Sequence, residues 1–483
     1  MKKSLFFFAA AALALTACSN DDATQQAQAV AAPQAVAFDT YTSGTTRAGD
    51  PYGVMTTDKL KTSGKGFGVF AYYHDDTNYA SDATNTPDFM FNEHVTWTAA
   101  SGWGYSPLKY WPNETIKDSQ SGPATSAAAD RLSFFAYAPY VSLTTKTTKG
   151  IAKDGDSAND LDAWTVADPS AEKGIFAMTR ETVNGDPLIA WRANTDLDNQ
   201  TDLLWGVAPM GMAYQSVNPD NPSDPGYVNK TFGLPLTDML KPDNDQKMKF
   251  LFQHALSRIS LSVVSAVDQI APGDDGNHFV ETENRVLIEN VEISGDFGEK
   301  GTLNLNNTSA NIANWIATTI QKSATDVEAG TPTRYLQFNE GNGYLRTDLR
   351  YVASQITPVT GAENYTAAAT AFASINKGVL TEEKILLEPD ASSNPRYFMV
   401  IPTGTTNIKV KITYHVITLD SKLDKFITNV TNVITKAATL NLESGKSYNL
   451  KLILGLNSVK LDATVGDWQV GNESEIYLPK NNE

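Results

Sequence analysis

Ile408-Lys409-Val410-Lys411-Ile412-Thr413-Tyr414-His415-Val416 alternates apolar and polar residues without a break. Successive side chains of an extended strand point to opposite faces, so this stretch buries one face and wets the other. Further on, Ser444-Gly445-Lys446 makes a turn before Tyr448, Leu450, Leu452, Leu454 and Leu456, again on alternate positions. Asn457-Ser458 separates these from Val459, Leu461, Ala463 and Val465, and Gly466-Asp467-Trp468 closes the run. Such a meander leaves little room for crossover helices, so mostly antiparallel sheets are expected.

Working outward, the same signal recurs. Tyr397 to Ile401 is apolar and ended by Pro402, Arg285 to Ile293 reads as strand, and Gly298 to Leu305 follows after a turn. Asn306 to Asp326 and Ala362 to Asn376 are open to short helices. Gln269 to Asn284, with Pro272-Gly273-Asp274-Asp275-Gly276, reads as a linker. Before it, Lys247 to Val267 reads as one long strand or two collinear ones, with a bulge near Ala255. Lys65 to Tyr73 and Arg131 to Ala138 are strands by their aromatic and β-branched content, the second ended by Pro139. Ser142 to Gln200 is mostly polar and loop-like, Asp202 to Gly206 restores apolar character, and Pro219 to Gly226 is a surface loop. The expected fold is all-β: two tandem antiparallel β-sandwich domains, 48–268 and 285–483, with long loops and few short helices.

The chain has 483 residues, which favours two domains over one, and 41% hydrophobic residues, enough to bury a core in each. A net charge of −17 argues against nucleic acid as a partner, because phosphate binding needs a concentrated basic surface. The single cysteine, Cys18, rules out an internal disulfide.

Its surroundings give that cysteine another explanation. Met1-Lys2-Lys3 is a basic start, Leu5 to Leu15 is an apolar run too short for a stable span, and Leu15-Thr16-Ala17-Cys18 resembles the bacterial lipobox. Residues 1–17 are therefore expected to be a lipoprotein signal peptide, with Cys18 as the lipidated residue and palmitate among its acyl chains, since several chains anchor stably where one does not. Ser19-Asn20-Asp21-Asp22 resembles the export signals of surface lipoproteins in Bacteroidia. Asp22 to Pro33 lacks a hydrophobic face and reads as a tether. Ala35-Val36-Ala37-Phe38-Asp39-Thr40-Tyr41 can form a strand, with Val36 and Phe38 on one side and Asp39 on the other, and a turn-prone stretch then leads to Arg47-Ala48.

Chemistry-bearing motifs give little. Gly445-Lys446-Ser447 lacks the first glycine of a phosphate loop and is followed by a strand, so it reads as a hairpin turn. Asp296-Phe297-Gly298 stands without the other kinase motifs and reads as a turn. Asp154, Asp156, Asp160 and Asp162 miss the EF-hand register at Ala158 and Asn159. The five histidines lack metal-ligand spacing, and His254 beside Ala255 reads as a hydrogen-bonded core residue. No metal, cofactor or catalytic residue is expected, although carboxylates that meet only in three dimensions stay open. Trp97, Trp103, Tyr110 and Trp111 are read as core in preference to a sugar platform.

With these pieces the chain resembles the fimbrillin family, the lipoprotein-precursor pilins of type V fimbriae in Bacteroidia, and most closely its Mfa-like branch. The resemblance rests on the lipobox, Thr46-Arg47-Ala48, Gly-Phe-Gly-Val-Phe-Ala-Tyr from Gly66, and Tyr-Trp-Pro at Tyr110. It continues through Ser-Phe-Phe-Ala-Tyr-Ala-Pro from Ser133, Phe-Gln-His-Ala-Leu-Ser-Arg-Ile from Phe252, and Gly445-Lys446-Ser447-Tyr448 with Asp467-Trp468. It implies transthyretin-like sandwiches, a surface-exposed lipoprotein held in the outer membrane by its lipid, and an arginine-specific protease that cuts after Arg47 to leave Ala48 first. Segment 18–47 is then a lipidated tether with a removable strand carrying Val36, Phe38 and Tyr41. Other fimbrial subunits become the partners through donor-strand exchange, and the role is structural and adhesive, not enzymatic. The family's donor is a C-terminal segment, for which Ile476-Tyr477-Leu478 is the apolar patch here. That patch is short, which leaves stalk and tip or accessory roles both open. The alternative is a surface lipoprotein that binds a host protein or glycan and never assembles.

Overall fold

The computed structural model describes residues 34–42, 55–74, 77–82, 84–112, 130–166, 174–194, 196–210, 213–215, 227–229, 231–239, 247–266, 283–320, 336–391, 393 and 395–467. Numbered along the chain, strands dominate these residues and the helices are short, so the protein is all-β.

An eight-stranded sheet runs β1 (Phe38–Thr42), β14 (Met248–His254), β10 (Leu204–Val207), β5 (Arg131–Ala138), β2 (Phe67–His74), β3 (Met90–Thr98) and β4 (Gly102–Gly104), with β13 (Leu236–Met239) also on β5. A six-stranded sheet runs β18 (Asn314–Ile320), β17 (Gly298–Asn304), β9 (Leu188–Arg192), β8 (Gly174–Thr179), β7 (Leu161–Thr165) and β6 (Thr145–Ile151). A five-stranded sheet runs β20 (Lys384–Ile385), β15 (Ser257–Ser265), β24 (Lys446–Leu454) and β25 (Val459–Asp467), with β21 (Phe398–Val400) on β15. A four-stranded sheet runs β19 (Leu336–Asn339), β16 (Glu283–Gly295), β22 (Gly404–Leu419) and β23 (Ile427–Leu442). β11 (Ala213–Gln215) and β12 (Tyr227–Asn229) form a separate pair.

The four- and five-stranded sheets face each other across one core. Ile408, Val410, Ile412, Tyr414 and Val416 of β22 meet Tyr448, Leu450, Leu452 and Leu454 of β24, as their alternation requires. Each such side chain contributes about 1.5–3 kcal/mol when fully buried. The eight-stranded sheet is apolar on both faces. Phe67, Val69 and Ala71 of β2 face its concave core, while Phe70 and Tyr72 pack with Trp191 and Leu303 of the six-stranded sheet. This two-sided burial explains the unbroken apolar run. Helices α2 (Ala353–Thr360) and α3 (Tyr365–Ala373) cover Leu287, Ile417 and Leu419 on the outer face of the four-stranded sheet. The remaining helix, α1 (Thr57–Thr62), is started by Thr56, whose hydroxyl accepts the Lys59 N–H.

Described strand pairs are antiparallel except β1 with β14 and β15 with β24. Several local expectations change. Ser142 to Gln200 is not loop: it supplies β6 and β7, whose mostly exposed or half-exposed side chains hide the strand signal while backbone pairing orders them, and β8 and β9, short strands that are largely buried. Asn306 to Asp326 contributes β18, and Ala362 to Asn376 contributes α3. Lys247 to Val267 is two strands in different sheets, divided at Ala255-Leu256. Strand pairing also crosses the expected 48–268 and 285–483 division: β15 joins β20, β21 and β24, and β17 joins β9 with Ala190 opposite Thr302.

One glycine holds the entry to β2. Gly66 has φ +56°, and a Cβ there would lie 1.9 Å from the Val95 carbonyl oxygen, whereas Gly64, at φ +70°, has open space around it. Gly66→Ala is expected to destabilise by about 2 kcal/mol or more, from a left-handed backbone and a clash together, and Gly64→Ala by about 1 kcal/mol. Urea unfolding of the two variants checks the difference.

Candidate functional site

The segment 34–42 is short, free of proline, and carries its larger apolar side chains Val36 and Phe38 two residues apart. Val36, Phe38 and Thr40 are buried while Ala35, Ala37 and Asp39 are half-exposed, so one stripe enters the core. The backbone is held on both flanks in turn. Val36 N–H donates to the Lys109 carbonyl at 2.9 Å, and Trp111 N–H donates to the Gln34 carbonyl at 2.9 Å. From Ala37 the segment changes partner: Met248 N–H donates to the Ala37 carbonyl at 2.8 Å, and β1 runs parallel to β14 from Phe38 opposite Met248 to Thr42 opposite Phe252. Tyr41 lies in this ladder opposite Leu251, and Asp39 stands opposite Lys249, a pairing of opposite charges.

Phe38 is the knob of the segment, 1% exposed. Its ring lies 5.9 Å from Phe250, 6.0 Å from Phe134, 6.2 Å from Phe67 and 5.6 Å from Tyr105. Tyr105 follows β4 at the far end of the sheet, so the sheet curls until both ends touch Phe38. The Tyr105 hydroxyl donates to the Val36 carbonyl at 2.9 Å, and burial pushes its pKa up to about 12, which keeps that proton in place at neutral pH. Without 34–42, one edge of β14 would lose its partner and the rings around Phe38 would face water.

Val36, Phe38 and Tyr41 are thus placed together in one edge segment. Cys18, Arg47, Ala48 and Ile476-Tyr477-Leu478 lie outside the described residues. Sequence reasoning missed Thr40, Tyr105 and the backbone at Lys109 to Trp111 as parts of the seat, although Tyr110-Trp111-Pro112 stood out as a motif.

Other candidates resolve as structure. Trp103 and Trp111 are buried in the concave core, Trp97 packs beside Trp103 at 5.5 Å, and Tyr110 is exposed. Asp154 accepts the Asp156 N–H and an Asn159 amide N–H, and Asp156 caps the next turn, so these carboxylates hold a loop. Among the described residues no group of three or more His, Cys, Asp or Glu side chains could hold a metal ion. His254 Nδ1 lies 2.8 Å from Asp202 Oδ2, both side chains buried, and the same oxygen accepts the Met55 N–H. Gly445, at φ +67°, turns the chain into β24, and Asp296-Phe297 separates β16 from β17.

No protein-family model matches the chain. Over 133 residues it is 35% identical to Fimbrium subunit Fim1C of Phocaeicola vulgatus, a match that covers 27% of this chain and 29% of that relative's length. This sequence relationship supports the resemblance to the fimbrillins of the Bacteroidia. A fimbrial protein of Bacteroides vulgatus aligns in structure with 90% of this chain and 99% of its own, at a TM-score of 0.48 and 18% identity. A candidate cell adhesion protein of Bacteroides uniformis aligns over 90% and 99%, at a TM-score of 0.34 and 13% identity.

Phe38→Ala is expected to lower stability by about 3–5 kcal/mol, the usual effect of emptying an aromatic core site. Asp39→Ala, one residue along and facing outward, should cost about 1 kcal/mol or less. Denaturant unfolding of the uncut chain reads both.

Proposed function

We propose that this chain is a structural subunit of a surface fimbrium, at the stalk, tip or an accessory position, that is exported as a lipoprotein and activated by loss of its N-terminal strand. The observation that carries the reading is the strand seat: an edge strand at the N-terminal end of the described chain, joined by one parallel ladder and one buried stripe headed by Phe38. The relationship to a protein named as a fimbrium subunit supports it.

Cys18 would be lipidated and hold the precursor in the outer membrane. While β1 remains covalently attached, its effective concentration at the seat is on the order of millimolar, and no strand from another molecule competes with it. An arginine-specific protease cutting after Arg47 turns β1 into a separate ligand that can leave, with Ala48 as the new N-terminus. The emptied seat offers unpaired backbone groups on β14 and an aromatic pocket where Phe38 sat. A strand from another subunit fills both, main-chain hydrogen bonds giving affinity and alternate side chains giving register. Ile476-Tyr477-Leu478 is the donor patch in this scheme. The role is assembly and adhesion, with no catalysis required of the chain.

Arg47→Ala should leave the protein uncut and unpolymerised in cells that carry the protease, with no N-terminus at Ala48 on sequencing. Ladders of polymer from that variant would contradict strand removal at this site. Cys18→Ser should abolish palmitate labelling of the precursor; labelling that persists would rule out Cys18 as the anchor.

A further inference from the structure

An open cleft of about 430 Å³ lies away from the β1 seat, where the loop after β2 meets the β8–β9 turn and the end of β17. Its polar centre is Asp186. Oδ1 accepts the Tyr79 hydroxyl at 2.8 Å and the Asn306 amide at 3.0 Å, and Oδ2 accepts the Asn304 amide at 2.8 Å. Burial, with Asp186 nearby, pushes the Tyr79 hydroxyl well above its ordinary range, so that group stays a donor.

This arrangement fixes what the cleft offers. Only an amide NH₂ can face a carboxylate, so the oxygens of Asn304 and Asn306 point elsewhere. Asn304 Oδ1 accepts the Asn306 N–H at 2.8 Å, while Asn306 Oδ1 has no partner among the described residues. Asp186 Oδ2, with one donor, keeps acceptor capacity as well. The turn that carries Asp186 is rigid, since Gly185 N–H donates to the Asn85 carbonyl at 2.7 Å and Tyr72 donates to the Gly185 carbonyl at 3.1 Å. Leu161 and Ile316 supply a half-buried apolar wall, and Lys153 lies at the rim.

We propose that this cleft binds a neutral hexose unit of a glycan, two neighbouring hydroxyls donating to Asp186 and Asn306 and the C–H face of the ring lying on Leu161 and Ile316. A carboxylate and an amide with free acceptor capacity beside an apolar wall match a ring that is polar at its rim and apolar on its face. A hard cation fits poorly: calcium takes six to eight oxygens, whereas the amide groups nearest Asp186 turn nitrogen toward it. A basic peptide would meet Lys153. The proposal is independent of strand removal, because no residue of 34–42 lines the cleft.

Saturation-transfer NMR on the uncut full chain with free glucose, galactose and mannose tests it. At least one hexose should receive saturation, with affinity falling about tenfold in Asp186→Asn, the effect of losing a charged acceptor. Asn306→Ala, which removes one neutral contact and keeps the carboxylate, should weaken binding less and serves if Asp186→Asn fails to fold. Absence of transfer to all three sugars, or transfer unchanged in the folded variants, would overturn the proposal.

Discussion

The insertion of Phe38 among Phe67, Tyr105, Phe134 and Phe250 is the contact on which the curled sheet closes. Those rings come from β2, from the segment after β4, from β5 and from β14, so one side chain at the chain's edge touches parts of the sheet that are distant in sequence. Aromatic groups bury about 150–250 Å² each. A residue that is central in the core is therefore carried by a strand that is peripheral in the topology. That combination makes the strand costly to lose and, in the proposed scheme of strand removal, leaves a place that another strand with the right side chain can fill.

The rest of the molecule does not depend on that strand. β15 pairs with β24 and β17 pairs with β9, so strands remote in sequence close the five- and six-stranded sheets through ladders that β1 does not enter. The core between the four- and five-stranded sheets contains no residue of 34–42. Loss of β1 would expose one edge of β14 and the concave face, and would leave the other three main sheets with their own partners. A subunit that is to exchange a strand needs this separation between a removable edge and a self-sufficient body.

Much of this was legible in the sequence where one face of a strand is buried and the other wet. Ile408 to Val416 and Tyr448 to Leu454 alternate because each lies on a single core, and they appear in β22 and β24. Arg131 to Ala138 matches β5 to the residue. Legibility fails where order comes from pairing and not from burial. Thr145–Ile151 is largely exposed, and only its ladder with β7 makes it a strand. Lys247 to Val267 reads as one element because β14 and β15 are both apolar; what separates them is the sheet that each joins. The stripe of Val36 and Phe38 was visible in the alternation, but the four rings around Phe38 belong to segments whose meeting no local pattern encodes. The same holds for Asp186, Asn304 and Asn306, brought together only by the β9–β17 ladder.

Hydrogen exchange at the β14 edge tests the central claim most directly. In the uncut chain the β14 amides that face β1, Met248 first among them, should be protected. After cleavage behind Arg47 and removal of the released segment they should exchange rapidly, and an added peptide with the sequence of residues 34–42 should restore protection while the β24 amides stay unchanged throughout. Equal protection of the β14 edge before and after release would contradict the account, because it would mean that β1 closes no groove.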